Sequence, residues 1–317
     1  MSHAELCRHA LCELAHKQSS VDAGLYGEAV TSTDTKCPEM GARLMRNKEQ
    51  EASMSTGRNI CEIRTAYQEI TEYPLMDYER MRAALERLIL ENSADPRKGV
   101  LQILNQARKK IDWLDGELER VRIMKRFDEA YPNAELVCGV DEVGRGPLAG
   151  PVMTAAVILP KGFVVPLLND SKQVSKKHRE ELYDVILNHA VAVGVGMNPP
   201  SVIDSKGIEF ANKDAMRQAV RNLSVKPDLV LVDAVHIPDL GIPQDSMNKG
   251  DTKSAAIAAA SIVAKVTRDR LMQEYDAMYP EYGFRDNVGY GSPAHIAALK
   301  QYGPCEIHRR GYIKNIV

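Results

Sequence analysis

Short apolar runs mark the hydrophobic pattern from residue 136 onward. The runs Leu136 to Val140, Val152 to Leu159 and Ala190 to Met197 have the length and composition of β-strands. The second run is almost entirely apolar, which predicts a strand that is buried on both faces. A shorter run, Leu229 to Val232, predicts another buried strand.

Helical repeats lie between and after these runs. The sequence predicts one helix from a Ser175 cap to about Leu187, and a second from Ile203 to Leu223. A third, from Ser254 to Met272, is rich in small residues that allow close approach to a sheet. Strands that first follow one another and then alternate with helices predict a three-layer mixed α/β domain over residues 136–317, in which helices flank a central sheet.

A helical extension is expected before this domain, at residues 54–133. Asp77 should cap one helix, and Asp95 should cap a second helix with Pro96 in its first turn. The apolar residues of the second helix repeat at alternating spacings of four and three, which places them on one stripe. They are Val100, Leu104, Ala107, Ile111, Leu114, Leu118 and Val121. The two helices therefore predict a helical hairpin over about residues 77–126.

Residues 1–53 are polar, with scattered Gly, Ser and Thr, and weak order is expected there. Four possible zinc ligands in this leader are Cys7, Cys12, His16 and Cys37. Their spacing matches no standard zinc finger closely, so a partly ordered amphipathic helix or a dispensable leader is the favoured interpretation.

Composition and charge narrow the classes of partner and compartment. Hydrophobic residues make up 44% of the chain, which is enough for a globular core. Lys and Arg number 41 against 43 Asp and Glu, so any surface for nucleic acid must be local. The 6 cysteines are scattered, which favours a reducing compartment. With no apolar run of roughly 18 residues, we expect a soluble cytoplasmic monomer without a membrane partner.

Carboxylates at predicted strand ends are the strongest chemical signal. Asp141 and Glu142 close the first strand, Asp233 closes the strand Leu229 to Val232, and Asp251 follows a Lys-Gly turn. A buried acid usually needs a cation or hydrogen-bond donors to remain charged, so the repetition indicates a metal site. Oxygen ligands without a Cys or His cluster favour Mg²⁺ or Mn²⁺. Alternatively, Asp251 caps its helix and Asp233 accepts a hydrogen bond from a loop amide.

The glycine-rich segment from Gly144 to Gly150 follows these acids. It is similar to a dinucleotide-binding turn, but that turn must open a helix. Here Pro147 and Pro151 intervene and an apolar strand follows, which favours a tight connection between antiparallel strands. Arg145 in this connection could contact a phosphate.

Basic residues in two further places could contact phosphates. Lys172 and its neighbours Lys176, Lys177 and Arg179 lie in and after a loop. For Lys176 and Lys177, a place on a solvated surface is an equally good interpretation. A second basic group near the C-terminus is similarly ambiguous. It consists of His308, Arg309 and Arg310.

The segment from Cys138 to Val152, CGVDEVGRGPLAGPV, resembles the signature of the type 2 ribonuclease H family in its bacterial ribonuclease HII form. Five further motifs agree in the same order along the chain. They are Asp170-Ser171-Lys172, Leu231 to Ala234, Lys249-Gly250-Asp251, Ser261 to Asp269 and Gly289-Tyr290-Gly291. The resemblance covers about 180 residues, from Leu136 to the C-terminus.

This resemblance implies a ribonuclease H-like fold with Asp141, Glu142, Asp233 and Asp251 as the metal-binding and catalytic acids. It also implies that the backbone of Gly144, Arg145 and Gly146 senses the ribose 2′-hydroxyl, and that Tyr290 packs on the adjoining sugar. The implied reaction is in-line hydrolysis with two metal ions about 4 Å apart.

The implied substrates are RNA/DNA hybrid duplexes and DNA duplexes that contain single ribonucleotides. Cleavage on the 5′ side of the ribonucleotide would leave 5′-phosphate products. One alternative is a nuclease similar to ribonuclease HIII that acts on longer hybrids, whose amino-terminal domain should be β-rich and basic. Another is a catalytically silent duplex-binding protein, which should lack at least one of the four acids.

Overall fold

The computed structural model of the protein describes residues 58–317. The predictions for residues 1–53, including the zinc alternative, lie outside the described residues. Within the described part, residues 58–115 and 116–317 form two compact units, which are treated separately below. The domain boundary expected near residue 133 stays a prediction. No helix in residues 58–317 is long and apolar enough to cross a membrane.

Helices make up the first unit. They are α1 (Ile60–Thr71), α2 (Tyr78–Glu91) and the first part of α3 (Lys98–Glu129). A reciprocal capping box begins α1: the side chain of Asn59 accepts a bond from a helix amide, and the carboxylate of Glu62 accepts one from the Asn59 amide. The amino-terminal helical extension is therefore confirmed.

The two acids expected to cap the helices of this unit behave differently from the prediction. The side chain of Asp77 makes no capping bond, because Asp77 ends a 3₁₀ turn that leads directly into α2. Asp95 accepts a bond from the Arg97 amide at 3.0 Å, and α3 begins only at Lys98. Asp95 therefore stabilises the approach to the helix and does not cap its first turn.

A five-stranded sheet in the order β3-β2-β1-β4-β5 forms the centre of the second unit. Its strands are β1 (Val137–Val143), β2 (Val152–Ile158), β3 (Ala192–Asn198), β4 (Leu229–Asp233) and β5 (Gln244–Met247). The pairs β1–β2 and β2–β3 are antiparallel, whereas β4 lies parallel to both β1 and β5. This mixed sheet confirms the predicted fold class. The edge strand β5 was not predicted, because its sequence, Gln-Asp-Ser-Met, is polar.

Seven helices of the described part follow in this unit. They are α4 (Lys176–His189), α5 (Pro200–Lys206), α6 (Ile208–Arg221), α7 (Ala255–Met278), α8 (Phe284–Asn287), α9 (Pro293–Tyr302) and α10 (Arg310–Ile313). Ser175 and Ser254 cap α4 and α7 as expected. The single helix predicted from Ile203 to Leu223 was wrong, because Gly207 has φ of +84° and divides it into α5 and α6.

Helices α6 and α7 cover opposite faces of the sheet at very short range. A methyl group on Gly139 of β1 would overlap the backbone of Ala256 and Ile257 in α7. One on Gly194 of β3 would overlap the Ala219 carbonyl in α6. The register places Gly139 level with Val157 and Val193, so its side of the sheet is not the side of Gly194. Glycines in the sheet therefore set both helix distances.

We expect Gly139→Ala to lower the free energy of unfolding by about 3 kcal/mol or more, because the added methyl meets the backbone of α7, which cannot rotate away. Urea unfolding followed by circular dichroism measures this change. Gly116→Ala in α3 is the control, since a methyl group there meets nothing within 4 Å. The control should gain about 1 kcal/mol from helix propensity. Equal stability of the two variants would contradict the close approach of α7 to β1.

Candidate active site

The four predicted acids lie at one edge of the sheet. Asp141 and Glu142 belong to the end of β1, and Asp233 ends β4. The register pairs Val140 with Val232 in the parallel pair β1–β4, so Asp141 and Asp233 follow on neighbouring strands. Parallel strands thus deliver acids that are 92 positions apart in sequence to the same place.

A hydrogen bond brings the fourth acid to this edge. The amide of Gly250 donates to Oδ1 of Asp233 at 2.8 Å, which holds the 3₁₀ turn Gly250–Thr252 against the end of β4. Asp251 lies in that turn. The loop-amide contact foreseen as an alternative role for Asp233 is therefore present, and it helps to assemble the site. Ser254, and not Asp251, caps α7.

Electrostatic repulsion links the four carboxylates. Burial raises the pKa of Asp141 to about 8, and the charges of Glu142 and Asp233 add to the shift. Burial also raises the pKa of Glu142, where Arg145 opposes the shift and Asp233 adds to it. The pKa of Asp251 is raised by burial and by the charges of Asp170 and Asp233. The charge of Asp233 thus reaches the other three acids, and the site is short of positive charge.

The chemistry of this site fits a hard divalent cation. Its donors are carboxylate oxygens, and Oε2 of Glu142 is buried without a hydrogen bond of ordinary geometry, although Asn212 lies close enough to lower the pKa of that carboxyl. Within residues 58–317, no three His, Cys, Asp or Glu side chains already converge as a ligand cluster. Like charges keep the carboxylates apart, so their side chains would have to rotate before they could bind one ion together.

The glycine segment connects the antiparallel strands β1 and β2, as predicted. Two positive φ angles, +88° at Gly144 and +86° at Gly150, allow the tight path of the loop. The guanidinium of Arg309 donates to the carbonyls of Gly144, Arg145 and Gly150, the last at 2.9 and 3.0 Å. Arg309 is 0% exposed, so it neither contacts phosphate nor belongs to a solvated face.

A second buried guanidinium holds the same loop. Arg268 of α7 donates to the carbonyls of Pro151 at 3.0 Å and Ala149 at 3.1 Å. The sequence indicated no role for Arg268, and it left Arg309 ambiguous between a phosphate contact and a solvated surface. The available signal for Arg268 was its position seven residues after Ser261, which places both residues on one side of α7.

The loop leaves three adjacent donors unused. Its carbonyls bond to Arg309, whereas the N–H groups of Gly144, Arg145 and Gly146 make no hydrogen bond within the described part of the chain. Arg145 and Gly146 are exposed. These amides can therefore donate to a hydroxyl or phosphate oxygen.

Tyr290 lies beside this loop. A Cβ atom on Gly146 would lie 3.8 Å from Cε1 of the Tyr290 ring, which is 46% exposed. The carbonyl of Gly289 accepts bonds from the amides of Leu148 at 2.8 Å and Ala149 at 3.2 Å, so the two loops are joined through their backbones. The structure thus brings Tyr290 and Gly146 together from positions 144 residues apart.

The basic residues near the acids have different roles. Nζ of Lys172 lies 4.0 Å from Asp170, its side chain is 83% exposed, and its charge lowers the pKa of Asp251. The guanidinium of Arg145 lies 3.4 Å from Oε1 of Glu142. Arg179 instead donates to two loop carbonyls, those of Ser171 and Val174, at 2.8 and 2.7 Å. Lys172 and Arg145 remain free enough to meet a phosphate at the site.

Ser261 of α7 is a further part of the site that the sequence analysis did not single out. Its hydroxyl bonds to the Ser171 hydroxyl at 3.0 Å, and its contact with Asp141 opposes the rise that burial causes in the pKa of that carboxyl. It therefore joins the loop that carries Lys172 to the end of β1.

Comparison with known proteins gives consistent matches. The family model described as Ribonuclease HII matches residues 138–315, and that described as Ribonuclease HII N-terminal domain matches residues 79–132. A protein of Lachnoclostridium phytofermentans named Ribonuclease HII is 52% identical over 222 residues, 70% of this chain and 87% of that protein. One of the same name from Lactobacillus helveticus is 50% identical over 231 residues, 72% of this chain and 91% of that protein.

Among solved structures, the ribonuclease H2 from Pyrococcus horikoshii OT3 aligns with a TM-score of 0.48 at 27% sequence identity. The alignment covers 57% of this chain and 96% of that chain.

Replacing Arg309 by Gln should remove the shared donor of three loop carbonyls and lower the free energy of unfolding by about 3 kcal/mol or more. Arg310→Gln is the matched control, because that neighbouring side chain is exposed, and it should change stability by less than about 0.5 kcal/mol. Thermal unfolding of both variants measures the difference. Similar melting temperatures would contradict the structural role of Arg309.

Proposed function

Because the chain belongs to the ribonuclease HII family and is an endoribonuclease, we propose that its four clustered acids form the catalytic site. Asp141, Glu142, Asp233 and Asp251 would hold Mg²⁺ or Mn²⁺ ions. Ions bound there would supply activation of the attacking water and neutralise charge that develops at the scissile phosphate and the leaving 3′-oxygen. The mutual repulsion of the acids supports this assignment, since a cation relieves it.

The residues around the acids would orient the substrate strand. Arg145 and Lys172 flank the carboxylates with exposed cationic groups, which can each meet a backbone phosphate. Ser261 would keep the Asp141 side chain in place through its hydroxyl. In this arrangement the chain holds the duplex backbone locally, although its net charge of −2 offers no general attraction.

Selection of RNA would depend on the three unused amides of the glycine loop. Arg309 already binds the Gly144 and Arg145 carbonyls, so the N–H groups are the polar backbone groups that this loop can offer to a substrate. We propose that the N–H groups of Gly144, Arg145 and Gly146 donate to the ribose 2′-hydroxyl and adjoining phosphate oxygens. A deoxyribose in that position would leave donors unpaired, which commonly lowers reactivity strongly. The substrates are then RNA/DNA hybrids and DNA duplexes with embedded ribonucleotides.

Tyr290 would complete the recognition. Its exposed ring lies beside Gly146, so it can pack on the sugar that follows the ribonucleotide. A deoxyribose gives that ring a more apolar surface than a ribose does. The enzyme would therefore favour a ribonucleotide followed by DNA and cut on the 5′ side of that ribonucleotide, leaving a 5′-phosphate.

The observation that carries the proposal is the position of all four acids at one sheet edge, beside a loop with unused amides. A silent duplex-binding protein has no need for every one of these acids. A ribonuclease HIII-like protein should have a β-rich amino-terminal domain, whereas residues 60–129 are helical apart from short connections.

We expect Asp141→Asn and Asp251→Asn to lower the cleavage rate at least about 100-fold while duplex affinity stays within about tenfold, because the lost charge matters most in the transition state. Cleavage of a labelled duplex with one ribonucleotide, with and without Mg²⁺ or Mn²⁺, gives the rate. Filter binding in Ca²⁺ gives the affinity.

Asp239→Asn is the matched control for these acid variants, since Asp239 is 89% exposed and belongs to another loop. It should cleave like the unchanged protein. Normal turnover in either site variant, or metal-independent cleavage, would reject the assignment of the acids.

Tyr290→Ala should lower the cleavage rate most on a duplex with one ribonucleotide and less on a long hybrid, because a long hybrid offers many registers. We expect about a tenfold loss on the first substrate, in line with the packing of one exposed aromatic ring on a sugar. Parallel initial rates on the two substrates and on an all-DNA duplex measure the preference. The all-DNA duplex should remain uncut.

Tyr302→Ala is the control for the loss of an exposed tyrosine, since Tyr302 is 57% exposed at the end of α9. Its rates should be unchanged on both substrates. Equal losses on both substrates for Tyr290→Ala would mean that Tyr290 serves general binding, and its role at the junction would have to be withdrawn.

A further inference from the structure

Two buried histidines lie behind the loops that are proposed to recognise the substrate. His295 lies in the first turn of α9 and is 0% exposed, and His308 precedes α10 and is 1% exposed. Their Nε2 atoms lie 2.9 Å apart. Neither residue belongs to the acid site, and the reaction described above makes no use of either one.

The partners of the two rings determine which nitrogens carry the protons. Nδ1 of His295 lies 2.8 Å from the Tyr290 carbonyl, which can only accept, so this nitrogen must carry a proton. Nδ1 of His308 accepts from the Cys305 amide at 3.0 Å, so that nitrogen must be bare. In neutral rings, Nε2–H of His308 therefore donates to the bare Nε2 of His295.

The result is one directed chain of hydrogen bonds. It runs from the Cys305 amide through His308 and His295 to the Tyr290 carbonyl. We call these two rings with their three bonds the His295–His308 relay. A proton added to His295 would place two N–H groups opposite each other at Nε2, and one added to His308 would place an N–H at Nδ1 opposite the Cys305 amide. The chain therefore holds only while both rings are neutral.

The surroundings of the relay favour neutral rings. Phe284 and Tyr282 pack against them, with ring centroids 5.3 Å from His295 and 4.8 Å from His308 respectively. Burial lowers the pKa of His295, and burial together with His295 and the cation Arg310 lowers the pKa of His308 to about 4. The Cys305 thiol also lies 3.1 Å from Nδ1 of His308, and burial raises its pKa to about 11.

The two ends of the relay meet the two recognition loops. At one end, the bonded carbonyl belongs to Tyr290 itself. At the other, the backbone of His308 pairs with Ala149 of the glycine loop, and the next residue, Arg309, holds the Gly144 and Arg145 carbonyls. A shift of either ring would therefore change the distance between the Tyr290 ring and the loop that carries Gly146.

We propose that His295 and His308 are a positioning pair, whose fixed tautomers set the place of Tyr290 relative to the glycine loop and thereby the preference for a single ribonucleotide. This inference rests on the proposed role of Tyr290 and assigns two residues that support it. A recognition site requires such support because misplacement by about 1 Å can cost about 100-fold in rate. The relay adds a side-chain link between the two loops to the bonds that Arg268 and the Gly289 carbonyl already make.

A double-mutant cycle tests the relay through activity. His295→Leu removes the donor to the Tyr290 carbonyl, whereas His295→Asn places an amide N–H where Nδ1 lies. We expect the Leu variant to lose about tenfold in rate on the single-ribonucleotide duplex, and the Asn variant to recover most of that loss. On a long hybrid the Leu variant should lose less than about threefold. In a Tyr290→Ala background, His295→Leu should have less than about a twofold further effect.

The outcomes separate the relay from the proposed function. A loss from His295→Leu that is equally large with and without the Tyr290 ring, or an Asn variant no better than Leu, would mean a merely structural role and overturn the inference. Equal losses on both substrates for Tyr290→Ala would remove the junction role of Tyr290. The positioning by His295 would still stand if its effect vanished together with the ring.

Nuclear magnetic resonance tests the relay in the unchanged protein, so the test survives if the Leu variant fails to fold. Long-range ¹H–¹⁵N spectra at pH 7 should show a proton on Nδ1 of His295 and on Nε2 of His308. Assignments come from His295→Asn and His308→Asn. The opposite tautomer in either ring, or a protonated ring at pH 7, would overturn the inference.

Discussion

The close approach of α7 to β1 is the constraint on which the site depends. Gly139 has no side chain, so the backbone of α7 lies directly on the strand that carries Asp141 and Glu142. The cap of α7 and two residues of the helix, spaced seven apart, then contact the site along that strand. Ser254 begins the helix beside the turn of Asp251, Ser261 reaches Asp141, and Arg268 holds the glycine loop. A larger residue at position 139 would disturb all three contacts at once.

Positive charge is distributed unevenly around this helix. The guanidiniums of Arg268 and Arg309 are buried, and they are used on backbone carbonyls of the glycine loop. In the part of the chain that the structure describes, the acids therefore have no buried cationic partner, and the exposed Arg145 contacts Glu142 only at 3.4 Å. The arrangement leaves the carboxylates available for the proposed metal ions and leaves the loop amides available for the proposed substrate contacts. Both features follow from where two arginines are placed.

Much of the fold could be predicted from local patterns. Four of the five strands, the Ser175 and Ser254 caps and the helical amino-terminal region follow from apolar runs and capping residues. Some failures arose from local backbone conformations that the pattern does not reveal, and one arose from a neighbour in space. Gly207 divides a helix that is periodic through that position, and a 3₁₀ turn removes the capping role of Asp77. The polar edge strand β5 exists because β4 offers it a pairing partner.

By itself, the sequence determined the chemistry of the site: acids after apolar runs, a glycine turn that cannot open a helix, and motifs specific enough to indicate a family. These are local features of the chain, and the motifs indicate the family through their resemblance to it. Only the tertiary structure decided which distant groups meet. It placed Arg309 under the loop of Gly144, Tyr290 beside Gly146, and His295 against His308. Whether an arginine or histidine is solvated, catalytic or structural depends on its burial and its partners, and both arise from packing between segments far apart in the chain.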